Sequence, residues 1–559
     1  MDRRNFISAY RKRSAKKASF LPPDPVSRTS TGLTPYTSAW TQTEVIHLLK
    51  RTMFGSKKAD IDYFLNLGMD KAVDELLNPA APLPAPPVKE YDTNGVITTP
   101  DTNIAPGTTW VNDPNNDGTI TGRRRASFKK WWMGNMVNQD RSIREKMTMF
   151  WHNHFATGTN DIGNSQFVYK HHALLRENAT GNFKKLVRAV TIDPAMLVYL
   201  NGRYNTATAP DENYGRELQE LFCCGKGPGS LYTEADVKAA AKVLTGWQAN
   251  STTFTSYFTA SRHDRANKQF SAFYNNTLIA GNATANGGDI ELDALLNMIF
   301  SVPEVAKYIC RRLYRWFVYY DIDSTVEANI IEPMAAVLRA NNYEIAPVLD
   351  SLLKSEHFYD VLNQGCQIKS PMDLVVGMCR EFDVQFQPAA DYMSNYGLWN
   401  FLVSTVSNMQ QNIGDPPDVS GWKAYYQEPQ FYEIWINSDT LPKRNQFTDQ
   451  MAVSGYTFSG KKIMIDGTIL IKQLPSPEDP NILISNLVNF VFRIPLSAAS
   501  QKQVKTDILL GGQVSDHYWT DAWNLFITTP GNMANTTTVR NRVRDLLKYF
   551  MNLAEYQLA

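Results

Sequence analysis

Ile143-Arg144-Glu145-Lys146-Met147-Thr148-Met149-Phe150-Trp151-His152-Asn153-His154-Phe155 is the segment on which the fold turns. It is too apolar on one face for a surface loop. It also lies within a longer region, 123–246, where helical periodicity dominates. Toward the C-terminus, Thr233-Glu234-Ala235-Asp236 reads as a helix start, with Thr233 as N-cap and an acid three residues on, and a stop at Gly246. Toward the N-terminus, Trp40 to Pro79 divides into short amphipathic helices punctuated by Gly55, Gly68 and Pro79. Helical patterning returns at 290–385, 483–493 and 538–555. Insertions interrupt it near 88–122, 247–288 and 440–480. The last contains Ile463-Met464-Ile465-Asp466-Gly467-Thr468-Ile469-Leu470-Ile471, which reads as a β-hairpin turning at Asp466-Gly467. The expected fold is mainly α: one large multi-helical domain over 40–559 with small β-containing insertions, and a basic, disordered arm over 1–39.

The whole chain has 559 residues, with 56 Lys and Arg against 55 Asp and Glu. That near-neutral balance provides no general field for nucleic acid, so no nucleic-acid partner is expected. The charge is nevertheless uneven. Residues 1–17 hold seven basic residues and one acid, leaving 49 basic against 54 acidic residues for the body. Arg3-Arg4-Asn5-Phe6-Ile7 resembles the start of a twin-arginine export signal, but Arg11-Lys12-Arg13 follows where an apolar stretch belongs. No cleavable signal and no transmembrane segment is expected, and location stays open. The five cysteines, Cys223, Cys224, Cys310, Cys366 and Cys379, form no C-x-x-C pair and predict neither a disulfide framework nor a zinc ribbon.

Four constellations carry candidate chemistry. His152 and His154 bring neutral metal ligands or proton carriers into an aromatic setting, but at i and i+2 on a helix they point about 200° apart. Asn213, Glu217 and Glu220 form one polar helical stripe beside Arg216. The two glutamates suit a metal site shared with histidines of another helix, an acid–base pair, or a plain Glu/Arg face. His263-Asp264 offers an imidazole and a carboxylate on a loop. Pro416-Pro417-Asp418-Val419-Ser420-Gly421-Trp422, with Trp435-Ile436-Asn437, offers either aromatic platforms for a polar polymer or core plugs beneath a tight turn. Asp113-Pro114-Asn115-Asn116-Asp117-Gly118 copies half a calcium loop, but Arg124 stands where the bidentate acid belongs. There is no G-x-S-x-G, no phosphate-binding G-x-x-x-x-G-K-[ST] and no H-E-x-x-H.

The order of these blocks resembles a bacterial family known as "domain of unknown function 1800". The blocks are Arg144 to Phe155, Gly181-Asn182-Phe183, Asp193 to Leu197, Glu212 to Phe222, Tyr232 to Val237, Leu244 to Trp247, His263-Asp264, Lys369-Ser370-Pro371, Pro417 to Trp422 and Trp435 to Asn437. The resemblance runs from about Thr41 to Leu558. It implies an exported bacterial protein, and with Arg3-Arg4 it is the only ground for export. Two functions follow as expectations. One is a metal-assisted hydrolase-like enzyme. Here His152, His154, Glu217, Glu220, His263 and Asp264 would line one cleft, with a divalent metal ion as cofactor and Glu217, Glu220 and His154 as catalytic groups. The other is a non-catalytic cell-envelope binding or assembly protein. It would use Trp422, Trp435 and Asn437 to hold an envelope protein or polysaccharide.

Overall fold

The computed structural model describes residues 28, 32–93, 97–422 and 435–559. Among these residues helices dominate, and each β-sheet is a two-stranded antiparallel pair. The chain is therefore mainly α, as its periodicity indicates. The basic arm lies outside the described residues except for Arg28 and the stretch from Gly32 onward.

The helix Arg144–His154 is buried on every side from Glu145 to its end, not on one face alone. Its polar side chains can enter the interior because they find partners there. Arg176 donates Nε and Nη2 to the two oxygens of Glu145, each at 2.8 Å, and Lys146 pairs with Asp373. Ser165–Glu177 packs along it, Trp132 of Gly118–Val137 and Phe183 of Phe183–Thr191 reach it with their rings, and Pro194–Tyr199 packs on Ser165–Glu177. Gly118–Val137 in turn lies along Tyr392–Asn408, and the approach is so close that a Cβ at Gly134 would sit 2.7 Å from the Trp399 ring. The buried apolar side chains form one cluster that extends from Val45 to Tyr556.

Local signals explain several boundaries. Thr41 and Glu44 form a capping box on Gln42–Thr52, and Thr233 and Asp236 form another on Glu234–Val243. The insertion near 247–288 consists of two small hairpins, Trp247–Asn250 with Thr255–Phe258 and Lys268–Gln269 with Leu278–Ile279. One expectation needs correction. The hairpin near 455–475 exists, but it pairs Tyr456–Phe458 with Lys461–Ile463 and turns at Ser459-Gly460. Asp466 instead N-caps the short helix Gly467–Ile471, accepting from the Thr468 backbone N–H at 3.1 Å. The calcium-like loop holds a side chain of the chain itself. Arg124, wholly buried, makes two bonds to Asp101 at 2.8 and 2.9 Å and one to the Asp113 carboxylate at 2.6 Å. Asp117 there serves as N-cap for Gly118–Val137.

Candidate functional site

Three of the singled-out segments meet at the C-terminal end of Arg144–His154. The His154 ring donates from Nε2 to the Phe222 carbonyl at 3.1 Å, which fastens this helix to the glutamate-bearing one. Asn153 accepts the backbone N–H of Trp422 at 2.7 Å, which fastens the Pro/Gly/Trp loop. Gly421 makes that contact possible: its φ is +86°, and a Cβ there would lie 2.3 Å from Asn153 Oδ1. His152 packs edge-on against Trp132, with ring centroids 5.1 Å apart, and beside Trp422 at 5.8 Å. Burial, and then the nearby His171, hold the His152 imidazole neutral, down to about pH 3. Burial, seconded by Arg312, keeps His154 neutral as well. The two rings thus point into separate, sealed parts of the core.

The glutamates sit where Asn213–Glu217 continues into a π-helical turn, Leu218–Cys223. Such turns are rare, and they often occur at functional sites. Two more of them occur among the described residues, at Glu327–Ile331 and Lys505–Leu509, so the turn supports a site here without defining one. Arg216 forms no ion pair with Glu217, although its charge and that of Lys226 partly offset the rise in the Glu217 pKa. Its guanidinium reaches both oxygens of Glu234 at 2.7 Å, and Glu212 at 3.3 Å. Glu220 is paired with Lys226. Glu217 has no cation partner among the described residues, and its Oε2 is buried without a hydrogen bond. Burial first, and the Glu220 charge next, raise the Glu217 pKa above the ordinary carboxylate value.

Further acidic groups act on the same neighbourhood through their charge. The Tyr199 hydroxyl, at the end of Pro194–Tyr199, is pushed up to about 12 by burial and then by Asp161, Asp418, Glu217 and Asp415. Asp415 itself is satisfied. It pairs with Lys129 and accepts from the Thr159 backbone and hydroxyl at 2.6 and 2.7 Å. Glu217 and Tyr199 thus feel a common set of charges, and within it Glu217 is the carboxyl with a buried oxygen that makes no hydrogen bond. Sequence reading reached Glu217 and Glu220 and quoted Asp418 within a loop, but missed Tyr199 and Asp161. Only the meeting of three separate helices brings those two in, and no local pattern signals it.

The remaining expected residues lie elsewhere. His263 Nε2 stands 3.0 Å from Glu291, whose other oxygen takes Lys268 at 2.6 Å, while His263 Nδ1 faces the Thr245 carbonyl at 2.9 Å. Asp264 caps the next turn, accepting from Ala266 N at 2.8 Å. These contacts clamp the β-containing insertion onto Gly287–Ser301. Among the described residues no three His, Cys, Asp or Glu side chains are placed to hold a metal ion. Trp422 and Trp435 are 4% and 3% exposed, so as placed they plug the core and present no platform. Asn437 accepts from the backbone of Asp439 and Thr440 at 2.9 Å, ahead of Thr440–Val453. The five cysteines are buried and unbridged. No helix among the described residues is long and apolar enough to cross a membrane.

Comparison with known proteins agrees with the block order. A family model described as "Protein of unknown function (DUF1800)" matches residues 47–558. No curated protein and no solved structure matches.

Proposed function

The chain belongs to the DUF1800 family, and from that premise we propose that it is a hydrolase-like enzyme whose acid–base residue is Glu217. The observation that carries the reading is the unpaired carboxyl: Glu217 keeps a buried oxygen without a partner while every neighbouring charge of its helix is matched. A raised pKa keeps the proton available for transfer to a leaving group. Tyr199, whose hydroxyl stays protonated, adds a hydrogen-bond donor in the same field. Glu220, tied to Lys226, is the second carboxyl of the pair and works on Glu217 through its charge. His154 acts as a positioning residue, through its bond to Phe222.

An uncompensated carboxyl is costly to the fold and is retained for a task. Glu217→Gln therefore has two expected outcomes. Hydrolysis within a panel of chromogenic esters, glycosides and phosphate esters falls by at least about 100-fold, in keeping with a lost general acid. The melting temperature stays level or rises. Undiminished turnover by the variant contradicts the catalytic assignment; a marked drop in melting temperature assigns Glu217 to the structure instead.

A further inference from the structure

Four buried cations converge where the first helix, the centre and the C-terminal segment of the described chain meet. Lys50 comes from Gln42–Thr52, Lys369 from the turn before Pro371–Glu381, Arg444 from Thr440–Val453, and Arg493 from just beyond Pro480–Val491. Their exposures are 5%, 4%, 0% and 7%. One fully buried carboxylate stands among them, Glu381, with Oε1 2.7 Å from Lys50 Nζ and Oε2 3.5 Å from the Tyr556 hydroxyl. Asp373 does not redress the balance, because Lys146 already pairs with it and the Ser370 hydroxyl donates to it at 2.8 Å.

An interior with unmatched positive charge is unfavourable unless protons leave or an anion enters. The ammonium groups register that pressure. Burial, only partly offset by Glu381, lowers Lys50 to about 7, and burial likewise lowers Lys369.

Donors are also left over. Arg444 gives Nε to Gln557 at 2.7 Å and one terminal nitrogen to the Lys369 carbonyl at 2.8 Å, but the other terminal nitrogen is buried without an acceptor. Arg493 Nε is equally unmatched. Lys369 Nζ lies over the Tyr556 ring, 3.9 Å from its centroid, and no hydrogen bond to an acceptor is made among the described residues. Lys369 opens the Lys-Ser-Pro block of the sequence, a motif the Glu217 site does not use.

We propose that Lys369 and Arg444, supported by Lys50 and Arg493, bind one small oxyanion. The idle ammonium and guanidinium donors match the oxygens of a sulfate, a phosphate or a compact carboxylate. The burial of all four side chains favours a compact anion over a bulky one. The site is independent of the Glu217 reading and stands or falls without it.

Thermal unfolding in Tris-chloride with added sulfate, phosphate or acetate, each matched in ionic strength by sodium chloride, tests the assignment. At least one oxyanion should raise the melting temperature saturably by several degrees beyond chloride. A larger shift with sulfate and phosphate indicates a tetrahedral ligand, and one with acetate a planar ligand. Sulfate also stabilises proteins by exclusion from their surfaces, so the variant decides. Lys369→Met should melt no lower than the wild-type protein in chloride and should lose the oxyanion-specific increment. Arg444→Met should lose it too, although its bonds to Gln557 and Lys369 also support the fold. No increment beyond chloride, or the same increment in folded Lys369→Met, overturns the proposal.

Discussion

Four imidazoles, those of His47, His152, His154 and His172, are sealed in the interior, and burial is the largest influence holding each of them neutral. In the unfolded chain such a ring takes up its proton near pH 6.5; in the folded chain His152 waits until about pH 3. Their folded pKa values are depressed, so the associated stability is complete above about pH 6.5 and is lost as the pH falls toward the folded value. At pH 5 the His152 ring should cost about 2 kcal/mol relative to pH 7, and the other three act in the same direction. Urea unfolding at the two pH values checks this: His152→Phe should remove part of the acid-induced loss, and an unchanged loss would contradict a buried neutral His152. At this scale much was legible. The aromatics beside His152 and His154 pointed to a setting that excludes water, although a helix was expected to turn only one of the two rings inward. Their burial follows from the enclosure of the Arg144–His154 helix on every side from Glu145 onward, which an apolar face alone does not require. What the sequence could not show is that Arg216 turns to Glu234, 18 residues on, and so leaves Glu217 unmatched.

Among the elements, the decisive link is the docking of the Pro-Asp-Val-Ser-Gly-Trp loop on Arg144–His154. Gly421→Ala should destabilise by about 2–4 kcal/mol, since it brings a strained φ and a clash together. Asn153→Ala should cost about 1–3 kcal/mol by leaving the Trp422 N–H without its acceptor. Because both act on one contact, the double variant should cost clearly less than their sum in equilibrium unfolding; full additivity would mean the loop and helix are not coupled there. Element type was legible wherever a cap accompanied a period, as at Thr233 with Asp236. It failed at Asp466-Gly467, because an Asp before a Gly serves a hairpin turn and a helix N-cap alike. The competition was won by the Ser459-Gly460 turn, which closes the pair Tyr456–Phe458 and Lys461–Ile463 first.

Over the whole molecule, the near-neutral composition conceals a sorted interior. Cations collect around Lys369 and Arg444, while carboxyl groups collect around Glu217 and Tyr199. Neither cluster has a local signature, because each draws on segments more than a hundred residues apart; Tyr199 and Asp418 feel one another only in the assembled fold. The central claim is that this assembly holds the Glu217 carboxyl protonated beyond the ordinary glutamate range. Carbon-13 NMR titration of protein labelled at the glutamate carboxyl carbons, with Glu217→Gln identifying the resonance by its loss, measures this directly. The account predicts a Glu217 pKa clearly above the usual 4.5, and a downward shift of that value in Glu220→Gln. Titration of Glu217 at or below 4.5, unaltered by Glu220→Gln, would contradict it.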